Sequence, residues 1–87
     1  SGDGIYAVYA TVEGKTYKAM MSIGFRPTVN GKLRVTEVNI FDFDKEIYGE
    51  TIRITVKKYL RSEVKFDGLE ALKTQLHQDK VDSLACL

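Results

Sequence analysis

The sequence predicts a mainly β domain: a small antiparallel sheet, followed by a C-terminal α-helix. Three observations carry that expectation. Residues 5–23 alternate apolar and polar side chains about Glu13-Gly14, and two turn residues between such runs mark a β-hairpin. Two more alternating runs, 33–41 and 50–59, flank an acidic stretch that ends in Tyr48-Gly49. After Asp67 the apolar period changes from 2 to about 3.6, with Leu69, Leu72 and Leu76 on one helical stripe.

Taken in order, Ile5 to Val12 reads as the first strand and Lys15 to Ile23 as its partner. Gly24 to Gly31 holds the single proline and Asn30-Gly31, and reads as a loop. Leu33 to Phe41 is the third strand and Asp42 to Gly49 a turn. Glu50 to Tyr59 is the fourth strand, with Ile52, Ile54 and Val56 on one face and Arg53, Thr55 and Lys57 on the other. Ser62 to Phe66 is a polar loop. Asp67 with Glu70 three residues on has the pattern of a capping box and predicts a helix start there. After His77-Gln78-Asp79 a second short helical stretch presents Val81, Leu84 and Leu87. An open antiparallel sheet exposes two edges, and small sheets commonly remove them by closing into a barrel, which four strands do poorly.

Eighty-seven residues suffice for one small domain, and residues 1–87 read as a single one. Thirteen basic and twelve acidic residues are interspersed, for a net charge of +1, so no single-sign field is available to hold a nucleic acid. The longest apolar runs are only a few residues, too short to span a membrane as a helix. One cysteine, Cys86, excludes an internal disulfide and suits a reducing, cytoplasmic setting. The single histidine, His77, has no acidic or thiol partner at ligand spacing and reads as surface.

Glu37 is the residue that asks for an explanation. A carboxylate between Val35, Val38 and Ile40 is unfavourable in a strand unless alternation points it at solvent or a site needs it. The acidic turn Asp42, Asp44 and Glu46 has calcium-ligand chemistry without the spacing of a calcium loop. On residue types alone, the chain reads as a small antiparallel barrel with a ligand pocket.

Three separated blocks narrow this: Ser22–Gly31 (SIGFRPTVNG), Thr36–Glu50 (TEVNIFDFDKEIYGE) and Tyr59–Asp79 (YLRSEVKFDGLEALKTQLHQD). In this order and spacing they resemble the riboflavin kinase domain, in bacteria usually the C-terminal half of a bifunctional riboflavin kinase/FMN adenylyltransferase. The resemblance runs from about Gly4 to the C-terminus. It implies a small antiparallel Greek-key barrel, and an ATP-dependent phosphorylation of riboflavin to FMN with Mg²⁺. Riboflavin and ATP are the small-molecule substrates, and the partner is an N-terminal adenylyltransferase domain in the parent chain. By the same resemblance Glu37 is the catalytic base. Ile40, Asp42 and Tyr48 fall at the nucleotide site, and Arg61 and Phe66 at the flavin site, with Leu60 and Val64 as apolar neighbours. The resemblance differs at Asn39, where the family often has histidine. The family domain also begins with a further strand and a Gly-rich Pro-Thr-Ala-Asn loop that handles phosphates and magnesium. The expectation is that this chain starts after that loop, so that the barrel is incomplete and the 87 residues alone are inactive. Thr28 and Asn30 follow a second, different Pro-Thr and receive no metal role, so no metal ligand is expected in this chain. A rival expectation is a non-catalytic β-barrel module that binds flavin or nucleotide without transfer.

Overall fold

The computed structural model describes residues 2–87. Four strands, β1 (Gly4–Val12), β2 (Lys15–Thr28), β3 (Gly31–Ile40) and β4 (Ile52–Arg61), form one antiparallel sheet, followed by a single helix, α1 (Leu69–Cys86). The sheet order is β3-β2-β1-β4. Three strands joined by hairpins, with a fourth returning beside the first, make a Greek key. Among the described residues the sheet is open, with β3 and β4 as its edges. The mainly β class, the Greek-key order and the C-terminal helix are as the sequence and its resemblance imply.

Glu13 and Gly14 both adopt positive φ (50° and 78°), the primed turn whose twist matches the flanking strands. β2 then runs past the expected end at Ile23. Residues 24–28, read from sequence as a loop, continue the strand against Leu33, Arg34 and their neighbours, and Val29-Asn30 makes the tight turn. Pro27 is tolerated because β1 has already ended beside Ile23, so this part of β2 is paired on one side only.

β1 is one of the two interior strands and is covered on both faces. One face carries the core of Tyr6, Val8, Ala10, Ala19, Met21 and Ile23, with Val38, Ile40, Ile52 and Ile54 packed against it. The other face carries Ile5 and Ala7 and lies under the helix, which contacts β1, β2 and β4. The helix is continuous through His77-Gln78-Asp79, where a break was expected. That segment holds no glycine or proline, and Gln75–Asp79 (2.9 Å) and Gln78–Asp82 (2.8 Å) hydrogen bonds bridge it four residues apart. The cap also differs. Gly68 is the N-cap residue and no side chain caps the end, so Asp67 lies one residue too early, although Glu70 in the first turn still suits the helix dipole. The leucine stripe is not the buried face either: Leu69 and Leu76 are exposed, and Asp79 and Ser83 are the buried residues. No helix is long and apolar enough to cross a membrane among the described residues.

Candidate active site

An open cleft of about 990 Å³ lies on the helix side of the sheet, bounded by β2 and β3 on one wall and by the β4–α1 loop and the helix on the other. That volume suits an aromatic cofactor-sized ligand. Pairing fixes which side chains reach it. Ser22 lies opposite Glu37, Met20 opposite Asn39 and Ile5 opposite Ser22, so all of these share the face that carries the cleft.

Arg61 reaches the same face through an irregularity. Tyr59 pairs with Tyr6 on the core side, where the two rings meet edge-on at 5.4 Å, yet Arg61 pairs with Ile5 on the helix side. The register shift leaves Leu60 as the extra residue, and this bulge turns Arg61 over to the cleft. There its Nε and Nη2 donate to the two carboxylate oxygens of Asp79 at 2.8 and 2.7 Å, a bidentate pair, and Nη1 donates to the Ser62 carbonyl at 3.0 Å. Asp79 is 1% exposed. Burial pushes its carboxyl up, but the hydrogen bonds from Arg61 and Gln75 and the charge of Arg61 outweigh burial and hold it below the ordinary carboxylate range. The hydrogen bond to Asp79 raises Arg61 in turn.

Glu37 is largely exposed (62%) and accepts a hydrogen bond from Arg26 Nη2 at 2.7 Å. Arg26 also bonds Glu63 Oε1 at 3.2 Å, and Ser22 Oγ donates to the same oxygen at 3.0 Å. The bond to Glu37 is the main cause that raises Arg26, with Glu63 adding to it against desolvation. A chain Glu37–Arg26–Glu63 thus spans the mouth of the cleft from β3 to the β4–α1 loop.

Of the residues expected to act, Glu37, Ile40, Arg61, Val64 and Phe66 border this cleft. Phe66 places its ring 5.9 Å from the Arg61 guanidinium carbon. Asp42 borders a smaller adjoining recess of about 280 Å³ with Ile40, His77 and Lys80. Tyr48, 93% exposed in the loop before β4, and Leu60 at the bulge border neither. Arg26, Ser22, Glu63 and Asp79 belong to the site and were not singled out from sequence. The signal for the first two was the alternation Ser22-x-Gly24-x-Arg26, hidden while Gly24 onward was read as a loop. Among the described residues no three His, Cys, Asp or Glu side chains converge as a metal cage.

A riboflavin kinase (flavokinase) family profile matches residues 1–87. The bifunctional riboflavin kinase/FMN adenylyltransferase of Bacillus subtilis is 42% identical over 84 residues, covering 93% of this chain and 27% of that protein. The RNA-binding riboflavin kinase RibR of the same organism is 41% identical over 78 residues, 88% of this chain and 34% of that protein. A crystal structure described as a macrolide-efflux protein from Streptococcus pneumoniae superposes with a TM-score of 0.85 at 38% identity, over 94% of this chain and 27% of that one. The chain thus spans between a quarter and about a third of the length of these relatives. With the whole chain matched and the Greek-key sheet carrying its cleft, the chain belongs to the riboflavin kinase family.

Proposed function

We propose that this chain supplies the base and the flavin-facing wall of an ATP-dependent riboflavin kinase, within a cytoplasmic parent protein whose other part adenylylates FMN to FAD. The observation that carries the reading is one cleft bordered both by Glu37 and by the apolar and aromatic side chains of Val64, Phe66, Leu72 and Leu76. A flavin ring laid on that wall meets Phe66 face-on or edge-on and the Arg61 cation beside it. Arg61, tied at both ends to Asp79, acts there as a fixed wall and not as a swinging arm.

With the ring so placed, the ribityl chain points toward β3. The 5′-hydroxyl loses its proton to Glu37, its oxygen forms the bond to the γ-phosphorus, and the bond from that phosphorus to the departing ADP oxygen breaks. The transition state is loose, so the proton leaves late and a positioned carboxylate is sufficient as base. ATP enters as its magnesium complex, and the cation supplies charge neutralisation to the triphosphate. We assign the protein ligands of that cation and of the phosphates to residues outside these 87. Ile40, with Asp42 in the adjoining recess, supports an adenine-facing role for that end of the cleft, and Tyr48 reaches a nucleotide only if its exposed loop folds over.

Glu37→Gln in the intact protein tests the reading. A base acts on the transition state and spares ground-state contacts, so kcat falls by about 10²–10⁴-fold while riboflavin affinity is unchanged. A variant whose kcat stays within about twofold of the parent, with chemistry rate-limiting, returns Glu37 to a solvent-facing strand residue.

A further inference from the structure

We infer that Arg26 is a positioning residue of the transfer reaction, holding the Glu37 base and the flavin loop with one guanidinium. The inference rests on the reading of Glu37 as base, and it adds a role for residues to which no activity has been assigned.

Three positions on one face of β2 are committed to a single carboxylate of the β4–α1 loop. Ser22 Oγ donates to Glu63 Oε1 at 3.0 Å, and Arg26 Nη1 donates to the same oxygen at 3.2 Å. Between them, a Cβ at Gly24 would lie 1.8 Å from Glu63 Oε2, so the carboxylate rests on bare backbone. Residues 22, 24 and 26 recur at the two-residue period of a strand, and each contributes something different: a hydroxyl donor, an absent side chain and a cation. Val64 follows Glu63 directly and Phe66 lies three residues on, so seating Glu63 places the flavin wall against the sheet.

The same guanidinium reaches Glu37 Oε1 at 2.7 Å from Nη2. An exposed ion pair of this kind adds little to stability; what it fixes is direction. With Oε1 held, Oε2 is the oxygen presented to the substrate hydroxyl. A planar fork is suited to this task because it meets two carboxylates at set angles, which an ammonium does not. Arg61, Lys45, Lys65 and Asp79 are the other charged groups bordering the cleft. Arg61 and Asp79 are engaged with each other, and Arg26 is the cation that bridges the two walls.

Three variants of the intact protein test this, with Glu37→Gln as reference. Gly24→Ala places a methyl group where Glu63 sits and displaces only the end of a flexible side chain, so the seat is broken with Arg26 and Glu37 untouched. It is expected to raise the riboflavin Kd several-fold and to speed tryptic cleavage after Lys65 in the loop, with a smaller effect on kcat. Arg26→Gln is expected to do both and to lower kcat by about 10–100-fold as the base loses its direction. Arg26→Lys is expected to recover part of kcat and none of the loop protection; a lysine before Pro27 adds no tryptic site. Unchanged cleavage after Lys65 in both Gly24→Ala and Arg26→Gln overturns the seat. A kcat for Arg26→Gln near that of the parent, beside an impaired Glu37→Gln, overturns the positioning role. A fully active Glu37→Gln instead removes the base assignment on which the positioning role stands, and the cleavage rates then decide the seat alone.

Discussion

Phe66 stands where two elements meet. It precedes the helix, borders the cleft with Leu72 and Leu76, and faces the Arg61 guanidinium. A flavin offers that ring a flat apolar partner, and stacking of a base on an aromatic side chain is worth about 1–3 kcal/mol. Phe66→Ala in the intact protein is therefore expected to weaken riboflavin and FMN binding by roughly ten- to a hundredfold, with little effect on ATP. The chain has no tryptophan, so quenching of flavin fluorescence reads the affinity without interference from these residues. A sharply lowered Tm with intact affinity makes Phe66 a packing residue instead. At this scale the sequence was informative for residues that stand out by type: a glutamate in a strand, an aromatic in a polar loop. It was uninformative for Arg26, Glu63 and Asp79. Their types are ordinary for a surface, and only the pairing of distant strands and the helix shows that they face one another. Arg61 falls between the two cases. Its position was legible, but the bidentate hold by Asp79 depends on a bulge at Leu60 that no alternation pattern announces.

The helix is docked through a polar contact, and this makes its attachment sensitive to acid. Asp79 is buried and its carboxyl is held below the ordinary range, so between its folded and unfolded values the unfolded chain binds the extra proton. The contribution of the pair is then complete above the ordinary carboxylate range, near pH 4, and is lost as pH falls through the lower folded value. Asp79→Asn is expected to cost about 1–3 kcal/mol near neutral pH, because Arg61 loses its bidentate partner. Thermal unfolding followed across pH should show parent and variant converging at low pH, and a constant difference down to pH 2 would falsify the role of the ionised carboxylate. Elements were legible where their signals are local. The primed turn at Glu13-Gly14, the four strands and the helix itself all follow from alternation, turn chemistry and period. The errors came where pairing outweighs local preference. A proline ended β2 too early because its tolerance depends on β1 having stopped, and Asp67 was taken as the cap although the backbone turns one residue later, at Gly68.

For the molecule as a whole, the order β3-β2-β1-β4 is not written in any one strand; it entered through resemblance, and the pairing of β4 back onto β1 carries it. Phosphoryl transfer depends mainly on electrostatic stabilisation of the triphosphate, with cationic groups commonly worth about 10³–10⁵ in kcat, and a base adds about 10²–10⁴. Here Arg26 is shared between two carboxylates and Arg61 is held by a third, so neither is available to neutralise a triphosphate. Lys45 and Lys65 are the other cations at the cleft, both on loop segments. On the reading of Glu37 as base, we propose that the larger part of that stabilisation comes from residues outside these 87. Incubated with riboflavin and MgATP, the 87-residue chain is expected to form no FMN above background by chromatography, whereas a longer protein carrying the phosphate loop ahead of it turns over. Riboflavin should still quench on the isolated chain, because Phe66 and its apolar neighbours lie within it. Efficient FMN formation by the 87 residues would place the phosphates on Arg26, Lys45 and Lys65, and would require Arg26 to release Glu37 during the transfer.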